Sequence, residues 1–196
     1  MLDDSQIDRY SRQIVLSEIG GRGQERLLAA EVWIHGDGDG ALTCARYLAG
    51  AGVGRLALAD VTIRDALARE ARNPDCRLAG EPSRSPDVVI AIGARLPSEL
   101  PRAATILWGS ASAESVSRLV APAGRVCAAC LDELTSREAP GDGSAQLLGT
   151  LLALEALRAL LGLGQTDEPS LLRIDLARAE TSLLPFASRP GCATCR

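Results

Sequence analysis

The sequence contains no lysine; all 21 of its basic residues are arginine. Any reaction that requires a catalytic lysine is therefore excluded. The simplest reading is a compositional bias towards Ala, Arg, Gly and Leu. Aromatic residues make up only 3% of the chain. The core must then be built from Leu, Ala, Val and Ile, which favours an α/β or all-α architecture. There is one histidine, His35, and its place at the end of an apolar run suits packing better than catalysis. The net charge is −4, so the basic surplus that marks a nucleic-acid binder is missing. The longest apolar stretch, Leu147 to Leu163, is interrupted by Glu155 and Arg158. It reads as a buried amphipathic helix and not as a membrane span. The opening MLDDSQIDRYSRQ is polar and lacks the pattern of a signal peptide, so a cytoplasmic protein is expected. With 196 residues, 46% of them hydrophobic, one compact domain over 1–196 is expected.

What is present centres on residues 32–60, VWIHGDGDGALTCARYLAGAGVGRLALAD. The apolar run Val32 to His35 breaks into Gly36, Gly38 and Gly40. Helical spacing follows from Ala41 to Ala49, closed by Gly50 and Gly52. Leu56 to Ala59 is the next strand, and Asp60 ends it. Gly36, Gly38 and Ala41 fit G-x-G-x-x-G/A, with an acid at about the expected distance. In such a unit, glycines let the backbone approach phosphate, the helix N-terminus offers amide donors, and the carboxylate accepts from ribose hydroxyls. Asp37 and Asp39 run against this, because carboxylates in that loop repel a polyphosphate.

The flanks predict a Rossmann-like α/β fold with a mostly parallel sheet. Ile7, Tyr10, Ile14 and Val15 give an N-terminal helix. Gly20, Gly21 and Gly23 are expected to break it before a short second helix from Gln24 to Ala30. Arg9 and Arg12 lie close together on the first helix, where a solvated face is the simplest reading. Residues 64–72 suit a short helix and 73–86 a loop. Asp87 to Gly93 reads as a buried parallel strand. Ala104 to Trp108 is another strand, 110–117 a connection, and Ser117 to Ala121 an outer strand. Ala145 to Leu161 is the longest helix. Leu171 to Leu176 is the last strand, with 178–185 continuing it in extended form. The domain then divides into an N-terminal helical segment (1–30), a nucleotide-fold half (31–95) and a second half (96–196).

Four of the six cysteines form two C-x-x-C pairs, Cys127/Cys130 and Cys192/Cys195. Each pair presents two thiolates on one side of a tight turn, and together they complete a closed tetrahedral four-sulfur site. Such a site has no open position, which points to structural zinc. The alternatives are a redox pair or free thiols, but neither pair opens a helix in a βαβ unit. Cys44 suits a small core residue, and Cys76 a loop thiol.

Taken together, these segments resemble the ThiF/MoeB/HesA family of the ubiquitin-activating-enzyme-like superfamily. The resemblance rests on Arg9-Tyr10-Ser11-Arg12-Gln13, on Gly23-Gln24 with Leu27, and on the glycine turn. Leu48 to Gly54, Asp60, the strand DVVIAIG, the C-A-A-C knuckle, LLGTLLALEALRALLGLG and the tail RPGCATC complete it. It covers nearly the whole chain except about 61–86, and describes a divergent and shortened member. It implies a fold that adenylates the C-terminal glycine of a ubiquitin-like or sulfur-carrier protein with ATP and magnesium, as a homodimer with structural zinc. Gly36, Gly38 and Ala41 would lie under the nucleotide and Asp60 would hold the ribose. Arg12 would reach the phosphates across the dimer, and Cys127, Cys130, Cys192 and Cys195 would bind zinc.

Several family positions are not matched. After Asp60 the family's D-x-V-x-x-x-N-L-x-R-Q is replaced by VTIRDALAREARNP, in which Asn73 is the chain's only asparagine. The lysine is missing. The strand ending Ala91-Ile92-Gly93-Ala94-Arg95 lacks the aspartate that would hold magnesium. Structural motifs persist while charged catalytic groups are lost, so the sequence predicts a scaffold or partner subunit. The alternative is an active adenylyltransferase in which Arg64, Arg69 or Arg72 supplies the cations and Asp37 or Asp39 holds magnesium. A dinucleotide-dependent oxidoreductase rests on the glycine turn alone.

Overall fold

The computed structural model describes residues 1–70, 73–93, 105–122, 124–132, 139–141, 143–164, 168–186 and 192. Its centre is an eight-stranded sheet in the order β3-β2-β1-β4-β5-β6-β7-β8. The strands are β1 (Glu31–Gly36), β2 (Arg55–Leu58), β3 (Arg77–Ala79), β4 (Val88–Ile92), β5 (Thr105–Ala111), β6 (Ser115–Pro122), β7 (Ser170–Asp175) and β8 (Glu180–Pro185). β3, β2, β1, β4 and β5 are all parallel. β6, β7 and β8 are added antiparallel. The apolar strand Val88–Ile92 is buried throughout, as a strand covered on both faces should be.

The helices are α1 (Asp4–Ile14), α2 (Gly20–Ala29), α3 (Gly38–Ala51), α4 (Val61–Glu70), α5 (Ala128–Asp132) and α6 (Ser144–Leu161). α1 starts on a capping box formed by Asp3 and Gln6, which satisfies two of the N–H groups orphaned at a helix start. One face of the sheet packs Val32, Ile34, Leu56, Leu58, Val88 and Ile90 against Cys44, Ala45 and Leu48 of α3 and Leu148, Leu152 and Ala156 of α6. The other face gathers Trp33, Ala57, Val89, Ala91, Ile106, Trp108 and Leu119, with Val126 and Leu131 over them. α6 has the length and apolarity of a bilayer-crossing segment. In the structure its Leu148, Leu152, Ala153 and Ala156 are nonetheless buried in this core.

Five sequence expectations are revised. Ser117 to Ala121, expected as an outer strand, belongs to β6 and lies inside the sheet between β5 and β7. Gly20, Gly21 and Gly23 do not separate the first two helices but form the first turn of α2. Gly23 is the constrained one: a Cβ there would meet Leu161 at 3.0 Å and Ile19 at 3.1 Å. The stretch 73–86 contains β3, a three-residue edge strand pairing Leu78 with Leu56. Residues 110–117 are not a connection. β5 runs on to Ala111 and β6 starts at Ser115, and Ser112 closes the hairpin by accepting from the Ser115 N–H at 3.1 Å. Residues 180–185 do not extend β7 but fold back on it, after a turn in which the Arg178 N–H reaches the Asp175 carboxylate at 3.0 Å. Short polar turns explain the last two misreadings, because hairpin chemistry leaves little trace in apolar periodicity.

Candidate functional site

In strand order, the chain runs from β1 outward through β2 to β3 and then resumes on the opposite side with β4. The carboxyl ends of β1 and β4 therefore border the switch point where ligands bind in open α/β sheets. Gly36 and Ile92 are paired there. Gly36 has φ +151° and Gly38 φ +68°, conformations that L side chains rarely adopt. A Cβ on Gly36 would also run into the Ile92 carbonyl oxygen. The glycines thus allow a sharp strand-to-helix turn, and Ala41 behind it is completely buried.

What surrounds the turn differs from a phosphate cradle. Asp37 is the N-cap residue of α3, but its side chain makes no capping bond, and both Asp37 and Asp39 are exposed. Their charges sit where the helix dipole would otherwise favour an external anion. The Asp39 carboxylate accepts a hydrogen bond from Gln146 Nε2 at 2.9 Å, which ties the turn to the first residues of α6. Gly40 faces α6 so closely that a Cβ would lie 2.9 Å from the Ala145 carbonyl oxygen. Gly40, which lies outside the G-x-G-x-x-A positions, is therefore a helix-packing residue.

Asp60 ends the β2 segment as expected, yet its carboxylate is engaged locally. One oxygen accepts from the Thr62 N–H at 2.6 Å, the Thr62 hydroxyl at 2.6 Å and the Ile63 N–H at 3.1 Å. It caps α4, and these bonds, Thr62's first among them, hold its carboxyl below the usual carboxylate range.

Arg12 lies on the exposed side of α1. Its neighbour Arg9 is not a free surface charge. Asp75 receives Arg9 Nη1 at 2.7 Å, the Tyr10 hydroxyl at 2.9 Å and Gln6 Nε2 at 3.1 Å. Asn73 donates to the Tyr10 hydroxyl at 3.0 Å and to the Ala49 carbonyl at 2.6 Å. This network fastens α1 to the end of α3. Tyr10 is 1% exposed, and burial foremost, with Asp75 beside it, pushes its phenol up to about 12. Sequence reading missed Asn73 and Asp75 as the anchor; the one signal was a lone Asn-Pro-Asp between two elements. The buried Gln24 has a similar task, donating to the Ala51 carbonyl at 3.0 Å.

Cys127, Cys130 and Cys192 come together with their sulfurs all within 4.8 Å of one another. Cys127 Sγ and Cys192 Sγ are 3.6 Å apart, close to the roughly 3.8 Å edge of a tetrahedron with about 2.3 Å metal–sulfur bonds. The Cys130 and Leu131 N–H groups both bond the Cys127 carbonyl, at 3.1 and 3.2 Å, which forms the tight knuckle turn. Those three cysteines are not in disulfides. Cys195 lies outside the described residues. Cys44 is fully buried, and burial drives its thiol far above the ordinary range. His35 packs its ring 5.6 Å from Trp33 at a tilt of 56°.

No family model matches the chain. The fold is nevertheless that of a known class. The structure superposes on crystal structures of Escherichia coli MccB, one of them with ATP, at a TM-score of 0.71 and 15% identity. That match covers 96% of this chain and 74% of MccB. The sequence carries the relationship further. It is 48% identical over 82 residues to the adenylyltransferase and sulfurtransferase MOCS3 of Bos taurus. It is 51% identical over 59 residues to the sulfur carrier protein ThiS adenylyltransferase of E. coli. The matches span 41% and 30% of this chain, but only 18% and 24% of those relatives. Over these segments the chain resembles ThiF/MoeB-type adenylyltransferases, and it spans less than a quarter of those relatives' length.

Proposed function

We propose that this chain is a ThiF/MoeB-like domain that has lost adenylation and serves as a scaffold or partner subunit for a ubiquitin-like or sulfur-carrier protein. One observation carries this reading. The glycine turn carries two carboxylates, Asp37 and Asp39, at the start of α3, with Asp39 held by Gln146, and their charge opposes a phosphate there. Adenylyl transfer needs cations around the α-phosphate, and loss of one such stabilising group costs on the order of a hundredfold or more in rate. The chain has no lysine to supply one, and Arg9 is committed to Asp75. One of the two Asp60 carboxylate oxygens is already engaged by three bonds within the start of α4.

The same reading includes a homodimer in a cytoplasmic setting, and a structural zinc held by Cys127, Cys130, Cys192 and Cys195. The three sulfurs already gathered suit a soft, thiolate-binding metal. Bound there, zinc would cross-link the C-terminal segment to the start of α5. Exposed Leu154 on α6 and Val15 and Leu16 after α1 offer apolar surface for the dimer contact.

Active adenylyltransfer is the competing reading, and the preserved positive-φ pair Gly36 and Gly38 favours it. ATP–pyrophosphate exchange with a small Gly-Gly-ending carrier protein separates the two. The scaffold reading expects no exchange above background while the carrier still binds. Magnesium-dependent exchange would overturn it.

A further inference from the structure

A pocket of about 290 Å³ opens between the C-terminal halves of α3 and α4 and the start of β3. Its lining includes Ala49, Gly50, Leu67, Ala68 and Leu78, with Arg46, Glu70, Asn73 and Cys76 as the polar members. It is remote from the glycine turn: Gly38 and Gly50 stand at opposite ends of α3, roughly 18 Å apart along the helix. We propose that this pocket is a second binding site, for a small, uncharged, mainly apolar molecule such as a single-ring aromatic compound. The proposal does not depend on whether the glycine turn binds nucleotide.

The ligand class follows from how the polar members are used. Arg46 and Glu70 neutralise each other in a two-pronged ion pair, with Arg46 Nε 3.0 and 3.1 Å from the two carboxylate oxygens. Asn73 spends its amide N–H groups on the Tyr10 hydroxyl and the Ala49 carbonyl, and its oxygen accepts from the Asp75 N–H at 3.0 Å. Burial raises the Cys76 thiol to about 11, which leaves it an uncharged, weakly polar wall at neutral pH. A charged ligand would lose its hydration and find these groups already engaged. An apolar one loses little and covers Leu67, Ala68 and Leu78. The volume sits at the small end of ligand sites, which suits a single ring and excludes a nucleotide. Because Asn73 lines the pocket and also anchors Tyr10, an occupant rests directly against the network that holds α1.

Titration of the full chain with benzyl alcohol, followed by amide chemical shifts, tests the site. Saturable shifts concentrated at Ala49, Gly50, Ala68 and Leu78 are expected. Ala68→Phe, at an exposed helix position, should weaken binding at least tenfold by filling the opening, and Leu78→Phe serves as a second filler. Benzoate, the same size but charged, should bind at least tenfold more weakly than benzyl alcohol. Shifts that do not saturate, that centre elsewhere, or that persist unchanged in both filled variants would overturn the proposal. Equal binding of benzoate and benzyl alcohol would overturn the ligand class.

Discussion

Gly149 of α6 lies against the backbone of Gly40 in α3, so closely that a Cβ on Gly149 would run into the Gly40 carbonyl oxygen and come within 3.1 Å of the Cys44 N atom. Two glycines facing each other let the helices meet backbone to backbone at the first turn of the nucleotide-type motif. The obstruction is main chain and cannot swing aside. Gly149→Ala should therefore destabilise the fold by about 1–3 kcal/mol through overpacking, despite the better helix propensity of alanine. Urea unfolding followed by circular dichroism checks this, and a neutral or stabilising result would show that α3 and α6 separate at little cost.

Asp60 acts as the cap of α4. Asp60→Ala should cost about 1 kcal/mol, the usual effect of removing an N-cap acceptor, with Asp60→Asn losing less. Hydrogen bonding depresses the carboxyl in the folded chain. Its contribution is thus fully present above the unfolded-state value of about 3.9 and is lost as pH falls through the lower folded value. The stability difference between wild type and Asp60→Ala should shrink below pH 4, measurable by urea titrations at stepped pH.

Tyr10 should report on α1 docking. Its phenol is raised to about 12, so the network's contribution persists below pH 10 and is lost as pH rises from 10 towards 12. In a Tyr47→Phe background, absorbance at the phenolate band should stay low at pH 11 in the folded protein and rise on unfolding. Tyr10→Phe should cost about 1–3 kcal/mol, because the half-buried Asn73 and Asp75 groups lose a partner.

The cysteine cluster predicts metal content. The purified chain should carry one zinc, and Cys127→Ser or Cys192→Ser should lower occupancy sharply in elemental analysis. A strong chelator should lower the thermal midpoint of the wild type and leave those variants unchanged. A wild-type chain that folds to the same midpoint without metal would contradict a structural role.

Much of this was legible in the sequence, for physical reasons. The run Val88 to Ile92 and the Gly36–Asp60 unit follow from strong, local rules: continuous apolar strands, and glycine where φ is positive. The paired cysteines signalled their own association across a long separation. What escaped was set by distant partners. No local pattern says that Arg9 and Tyr10 meet Asp75, or that Asp39 meets Gln146, residues 107 positions apart. Nor could spacing alone reveal that Asp60 would cap the following helix, since the same carboxylate suits a ribose equally well. The antiparallel hairpins β5–β6 and β7–β8 were hidden by short polar turns.

On the proposed scaffold reading, the glycine turn keeps its shape but no longer binds nucleotide. Isothermal titration of the zinc-loaded chain with ATP and magnesium tests it most directly. No saturable heat is expected at micromolar to high-micromolar ATP, with binding gained in Asp37→Gly/Asp39→Gly as repulsion at the turn is removed. Micromolar ATP binding by the unmodified chain would contradict it.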